Sequence, residues 1–254
     1  IESIITFISL YDDIFIEKIN SNKHKILFTG KFSNNIGKNN SVSKLLEILE
    51  KKKLLLNTKF KIKIKKRIPL KSGLGGGSMN AASILKYLID KRIIIISKKE
   101  IKKICNSVGS DVILGFNFKN SILTSKNQIK YFSKCKKIHT LIVKPNFGCS
   151  TKEIFSKVKK FNKPKLNKPY RGMFEFKFLK KMNNFLEPIA FLKYKKLKSI
   201  KQYLENLSKP VFVRMTGSGS ALVAYYESKK SCKSAAKLFS KKYKNYWCIA
   251  SKTI

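Results

Sequence analysis

Two kinds of hydrophobic spacing alternate along the chain and mark its elements. Phe60, Ile62 and Ile64 alternate with Lys61, Lys63 and Lys65, the period of a strand with one buried face. Val42, Leu45, Leu46 and Leu49 repeat at helical spacing, and Asn40 just ahead of them is placed to cap that helix. A second helix is expected over Asn80–Asp90, with Ala81, Ala82, Ile84, Leu85 and Leu88 on its packed side; the paired alanines let it lie close to a sheet. Ser97-x-x-Glu100 reads as a capping box opening a third helix through Ile101, Ile104 and Cys105. In the second half, His139–Lys144 reads as a strand, followed by two or three lysine-rich helices. Val211–Arg214 and Ala221–Tyr226 read as paired strands, residues near Ser231–Lys242 as a helix and Trp247–Lys252 as a closing strand. Lys159–Arg171, with Pro164, Pro169 and alternating lysines, reads as an exposed connection. The pattern predicts an α+β chain with two modest cores, the second a ferredoxin-type layer.

Between the Phe60–Ile64 strand and the following helix, Gly73, Gly75, Gly76 and Gly77 are four of five consecutive residues. Glycine reaches φ > 0 without steric cost. A run of glycines can therefore turn successive N–H groups inward as an anion nest at a helix N-terminus, where the dipole is positive. Ordered flanks on both sides argue against a flexible linker. The spacing is not that of the G-x-x-x-x-G-K-[ST] loop, because Ser78 rather than lysine follows Gly77, nor of G-x-G-x-x-G.

The stretch from Pro69 to Ala82 resembles the phosphate loop of the GHMP kinase superfamily, P-x-x-x-G-L-G-S-S-A in most members. Its triple glycine followed by Ser-x-Asn-Ala-Ala is most similar to the 4-diphosphocytidyl-2-C-methyl-D-erythritol kinases. Two further segments match in order: Gly109-Ser110-Asp111-Val112 resembles the family's G-[SA]-D-V element, and Met215-Thr216-Gly217-Ser218-Gly219-Ser220-Ala221 its C-terminal glycine motif. The resemblance implies an α+β, two-domain GHMP kinase fold. A ribosomal-protein-S5-like ATP-binding domain would cover residues 1–137 and a ferredoxin-like domain residues 138–254. It also implies ATP-dependent phosphorylation of the 2-hydroxyl of 4-diphosphocytidyl-2-C-methyl-D-erythritol, in non-mevalonate isoprenoid precursor synthesis. Another GHMP small-molecule kinase and a nucleotide-binding homologue without turnover are the alternatives.

Carried over residue by residue, the resemblance makes Asp111 the base that takes the substrate hydroxyl proton; a loop aspartate capping a nearby N–H is the alternative. Gly73, Leu74, Gly75, Gly76, Gly77 and Ser78 would cradle the ATP phosphates, with Asn40 and Lys66 also near the nucleotide. Capping alone would explain Asn40. Thr151, Phe155, Gly217, Ser218 and Gly219 would meet the acceptor, Phe155 by stacking on cytosine; Ile154, Phe155 and Val158 could equally be one apolar helix face. Mg2+ is expected to bridge phosphate oxygens rather than fill a protein cage, so no metal motif is expected. Met79 stands where the family usually has a second serine, which should weaken but not abolish phosphate binding. The family's opening K-x-N-L-x-L and G-Y-H elements do not occur, and Tyr11-Asp12-Asp13-Ile14 matches its later Y-D-x-I. About two dozen family residues are therefore expected to precede Ile1, an inference by analogy. They include a lysine supporting Asp111, and a protein starting at Ile1 is expected to be badly impaired as a kinase.

Composition changes this picture little. The 254-residue chain carries a net charge of +42, which would ordinarily suggest nucleic acid or an anionic membrane. Only four of its 56 basic residues are arginine, however, and the lysines are spread through every segment rather than clustered. We therefore expect nonspecific, salt-sensitive polyanion binding and no specific nucleic-acid partner. Five cysteines lack a C-x-x-C pair, and His24 and His139 fall at no zinc-ligand spacing, which reads as a reduced compartment without a metal site. The longest purely aliphatic run, Ile93–Ile96, is too short to span a bilayer. A cytoplasmic enzyme, monomeric or homodimeric, is expected.

Overall fold

The computed structural model describes residues 2–159 and 162–254. Its first half runs β1 (Ser3–Ile5), β2 (Asp13–Ile19), β3 (Lys25–Thr29), α1 (Ser41–Lys51), β4 (Lys59–Lys65), α2 (Gly76–Asp90) and α3 (Lys98–Val108). The second half runs β5 (Asn120–Leu123), β6 (Ile129–Phe132), β7 (His139–Lys144), α4 (Thr151–Ser156), α5 (Phe176–Leu179), α6 (Leu186–Lys193) and α7 (Lys195–Glu205). It closes with β8 (Phe212–Met215), β9 (Leu222–Tyr226), α8 (Lys229–Lys242) and β10 (Trp247–Lys252). Two compact units result: Leu10–Leu70 with Gly75–Phe118, and the residues up to Ser9 with Lys71–Leu74 and Lys119–Ile254. The division expected after residue 137 is thus drawn differently. β1 pairs with β5 (Ile4 opposite Ile122) and β6 adds to β5, so residues 119–137 and the front of the chain belong with the second half.

In the unit holding β4, the sheet order is β2-β4-β3, with β2 antiparallel and β3 parallel to the central strand. Register aligns Ile14 with Ile64, Ile16 and Ile26 with Ile62, and Phe28 with Ile64, so one face is apolar and the lysines take the other. Leu45 and Leu49 of α1, Ile84, Leu85 and Leu88 of α2, and Ile104 of α3 share that core and are all but inaccessible to water. The expected helix after the glycine run starts four residues early, at Gly76 rather than Asn80. Low glycine propensity argued for a later start, but a Cβ at Gly76 would lie 2.9 Å from Ile68 Cγ2, so tight packing needs glycine inside the first turn. The reciprocal capping box occurs at α1, where Asn40 and Ser43 exchange bonds. At α3 only half of it forms: Ser97 Oγ accepts the Glu100 N–H at 3.2 Å, while the Glu100 carboxylate takes Lys52 Nζ at 2.6 Å.

The other unit contains the small β1-β5-β6 sheet and an antiparallel sheet of order β10-β7-β9-β8. Counted along β7, β8, β9 and β10, that order is the split β-α-β-β-α-β arrangement of a ferredoxin-like layer. Leu141, Val143, Ala224 and Tyr226 pack with Leu197 and Leu204 of α7 and with Ala235 and Phe239 of α8. The Lys159–Arg171 connection is exposed at most of its described residues, as expected, with one exception: Leu166 is buried with Ile122, Met173 and Phe174. The Glu2 carboxylate accepts the N–H groups of Lys165 (2.7 Å) and Leu166 (2.8 Å). Lys160 and Phe161 of that connection lie outside the described residues. Cys105, Cys149 and Cys232 are buried thiols whose burial pushes them up to about 11, which makes them poor nucleophiles.

His24 Nδ1 accepts the Phe60 N–H at 3.0 Å, and the two rings stack at 5.9 Å, so the imidazole is held neutral. Burial lowers its pKa below 6.5, against the opposing pull of Glu50. The unfolded chain therefore takes up a proton first as pH falls through 6.5, and native stability should fall with it until the folded histidine also protonates. Urea midpoints at pH 7.5 and 5.5 measure this, and His24→Gln should remove that part of the pH slope.

Candidate active site

The N-terminus of α2 carries the glycine run that the sequence singles out. Its cap residue, Gly75, sits at φ 70°, in the left-handed region where L side chains are strained. Helix geometry leaves the N–H groups of Gly76, Gly77 and Ser78 without intrahelical acceptors, and a glycine cap has no side chain to supply one. No acidic residue lies in this first turn to offset the positive dipole end. A Cβ built at Gly75 would meet nothing within 4 Å, so the nest opens on free space. One built on Gly77 would come within 3.4 Å of Ser41 Oγ, which puts the α1 N-terminus beside the nest. The adjoining Asn40 is fully engaged: Oδ1 accepts from Val42 (3.0 Å) and Ser43 (3.1 Å), and Nδ2 donates to the carbonyls of Gly37 (3.1 Å) and Lys38 (3.3 Å). Its side chain is accounted for by capping, as the alternative reading allowed.

Lys66 takes a role other than the nucleotide contact expected of it. Its ammonium is buried in an ion pair with Asp12, and the side-chain exposures are 3% and 0%. Asp12 Oδ1 accepts the N–H groups of Arg67 (2.7 Å) and Ile68 (2.9 Å), and Oδ2 accepts from Asn80 Nδ2 (3.0 Å) as well as from Lys66. One carboxylate therefore ties the end of β4 to the second turn of α2, on either side of the glycine run. Sequence reasoning matched Tyr11-Asp12-Asp13-Ile14 to a family element and gave Asp12 no role. Strand register carried the signal, since Asp13 opposite Lys65 sets Asp12 opposite Lys66.

Asp111 opens a 3-10 turn, Val112–Phe116, immediately after α3. Its exposed carboxylate caps nothing: Val112 N–H goes to the Gly109 carbonyl at 3.1 Å, and the only side-chain partner is Ser110 Oγ at 3.3 Å, among the described residues. The loop-cap alternative for Asp111 is therefore not what the structure shows. The turn presses on α2. A Cβ at Gly115 would fall 2.5 Å from Ala82 Cβ and 3.2 Å from Met79 Sδ, so Asp111 is anchored to the first two turns of the helix that forms the nest. Met79, read from sequence as a lost hydroxyl, packs against this turn.

The remaining expected residues lie in the second unit. Gly217 (φ 51°) and Gly219 (φ 85°) form a left-handed turn between β8 and β9, closed by Gly219 N–H to Thr216 O at 2.9 Å. Ser218 Oγ and Thr151 Oγ1 are 2.8 Å apart, which joins this turn to the start of α4. Ile154 of α4 is core, whereas Phe155 is half-buried at its margin. Gly73 belongs to this unit too. Thr216 Oγ1 donates to its carbonyl at 3.2 Å, and a Cβ there would collide with the Thr216 carbonyl. Leu74 packs with Ile142, Ala221 and Val223. Lys144 Nζ, its pKa lowered by burial, holds the carbonyls of Pro145 (2.9 Å) and Phe147 (3.0 Å), the second of which also accepts Ser220 Oγ (2.7 Å).

Asp12→Ala should destabilise the protein by about 3–5 kcal/mol, the usual result of stranding one partner of a buried pair. Asp13→Ala, which breaks only the half-exposed pair with Arg67, should cost about 0–1 kcal/mol. Urea denaturation of the two variants side by side checks the contrast.

Residues 40–117 match the family model described as the GHMP kinases N terminal domain. The whole chain is 55% identical to the 4-diphosphocytidyl-2-C-methyl-D-erythritol kinase of Pelagibacter ubique and covers 90% of that protein. It is 32% identical to the enzyme of the same name from Buchnera aphidicola, over 91% of this chain and 78% of that one. Among solved structures, a 4-(cytidine 5'-diphospho)-2C-methyl-D-erythritol kinase superposes with a TM-score of 0.76, at 19% identity over 100% of this chain and 90% of that one. Leishmania major mevalonate kinase superposes at 0.75, with 14% identity over 99% and 89%. The solved structures share the fold, and the 55% identity along the whole chain, with the matched N-terminal domain, makes this chain a member of the 4-diphosphocytidyl-2-C-methyl-D-erythritol kinase family of the GHMP kinases.

Proposed function

We propose that the chain transfers the γ-phosphoryl group of ATP to the 2-hydroxyl of 4-diphosphocytidyl-2-C-methyl-D-erythritol. The observation that carries this reading is the pairing of an open amide nest at the start of α2 with a turn, packed on that helix, that presents an exposed carboxylate capping no helix. Gly75, Gly76, Gly77 and Ser78 offer the phosphates N–H donors and a positive dipole end without a competing acid. Asp111, free of capping duty, takes the hydroxyl proton as the alcohol oxygen bonds to phosphorus and the bond to the ADP oxygen breaks. Thr151, Phe155, Gly217, Ser218 and Gly219 are assigned to the acceptor, with the half-buried ring of Phe155 available for stacking.

Among the described residues, no group of three or more His, Cys, Asp or Glu side chains is placed to hold a metal ion. Mg2+ keeps most of its water, and the Ser78 hydroxyl and the Asp111 carboxylate would be the protein groups to hold it. Bound there, the ion would neutralise charge on the transferred group. A cytoplasmic place of action is part of the proposal; among the described residues no helix is long and apolar enough to cross a membrane.

Asp111→Asn should lower kcat by about 10²–10⁴-fold while leaving ATP binding intact, as removal of a general base does. A coupled ADP-release assay and a nucleotide titration on the same preparation check both halves. The cytidylated substrate should be turned over where mevalonate and homoserine are not. Equal turnover of either rival would favour another GHMP activity, and ATP binding without transfer to any of the three would favour a non-catalytic homologue.

A further inference from the structure

The turn at Thr216–Gly219 is built from glycines in left-handed conformations, which hold a shape only where something outside the turn fixes it. Just ahead of α6, the Asn184 amide does this. Both of its N–H bonds are used, Nδ2 donating to the carbonyls of Met215 at 2.8 Å and Gly217 at 2.7 Å, which bracket Thr216. Its Oδ1 accepts the Leu186 N–H at 2.9 Å, which sets the amide's orientation from its own side. One helical step on, Glu187 N–H is bound to the Asn184 carbonyl at 3.0 Å, and Glu187 Oε2 accepts the Met215 N–H at 2.7 Å. The buried Glu187 carboxylate is held in turn by Lys201 of α7. Three polar contacts from one short segment thus converge on residues 215–217.

We propose that Asn184, backed by Glu187, is a positioning residue for phosphotransfer: it sets the Thr216–Gly219 turn so that Ser218, hydrogen-bonded to Thr151, presents the acceptor-binding surface. This rests on the assignment of that turn to the acceptor. An amide is required because both targets are carbonyl oxygens. A carboxylate of the same shape has no donor and would face two acceptors. Misplacement of substrate-orienting groups by an ångström can cost about a hundredfold in rate.

The test is steady-state kinetics of wild type, Asn184→Ala and Asn184→Asp with ATP and 4-diphosphocytidyl-2-C-methyl-D-erythritol. ATP affinity is measured separately by titration, and rates are scaled to the folded fraction. We expect kcat/KM for the acceptor to fall about tenfold in the alanine variant, whose site water can enter, and about a hundredfold in the aspartate variant, with ATP affinity within about twofold of wild type. Acceptor kinetics within about twofold of wild type per folded molecule, whatever the melting temperature, would overturn the proposal, as would a loss confined to ATP. Should the aspartate variant fail to fold, the alanine variant alone decides in the same terms. A wild type that binds ATP but never phosphorylates this acceptor would instead bring down the functional reading on which the proposal stands.

Discussion

The buried carboxylate of Asp12 is the interaction on which the glycine run ahead of α2, the proposed phosphate site, depends. A glycine-rich turn has no conformational preference of its own strong enough to hold one shape, so its ends must be fixed from outside. Asp12 does so by collecting the Lys66 ammonium, two consecutive backbone N–H groups at the exit of β4 and the Asn80 amide from α2. A buried carboxylate is tolerable only when its lone pairs are satisfied, and here four donors meet it. The nest is thereby held open by a polar cluster that itself stays out of water.

The same economy recurs in the second unit with the roles reversed. There the glycine turn offers carbonyls outward, and a neutral amide, Asn184, supplies the donors. Lys144 does similar work on the Pro145–Phe147 carbonyls, and Ser220 shares one of them. In both units the turn backbone is glycine, and the groups that shape it are polar side chains on strand ends and helix starts. Each is matched to the sign of what it holds: a carboxylate for N–H groups, an amide or ammonium for carbonyls.

Much of this was legible in the sequence, and the gaps have physical causes. The alternation of Phe60, Ile62 and Ile64 with lysine, the apolar face of Val42–Leu49 and the Asn40 cap all reappear, because they rest on local periodicity and local hydrogen bonds. Two expectations gave way to partners distant in sequence. Glu100 left its capping box for Lys52, and Lys66 turned inward to Asp12 rather than toward a nucleotide. The compact units divide elsewhere than after residue 137 for the same reason, since the pairing of β1 with β5 spans more than a hundred residues and leaves no local trace. Gly73 reads as part of one phosphate loop, yet it is shaped by Thr216 from the far end of the chain. Motif spacing nominates the glycines and Asp111; only three-dimensional register reveals what holds them.

That this chain moves a phosphoryl group onto one specific tertiary alcohol is tested most directly by ³¹P NMR of the protein with ATP, Mg2+ and 4-diphosphocytidyl-2-C-methyl-D-erythritol. ADP should accumulate together with an equal amount of a new phosphomonoester, coupled to the carbon skeleton at position 2, while the acceptor's own diphosphate stays intact. ADP accompanied only by inorganic phosphate, or a phosphomonoester at another hydroxyl, would contradict it.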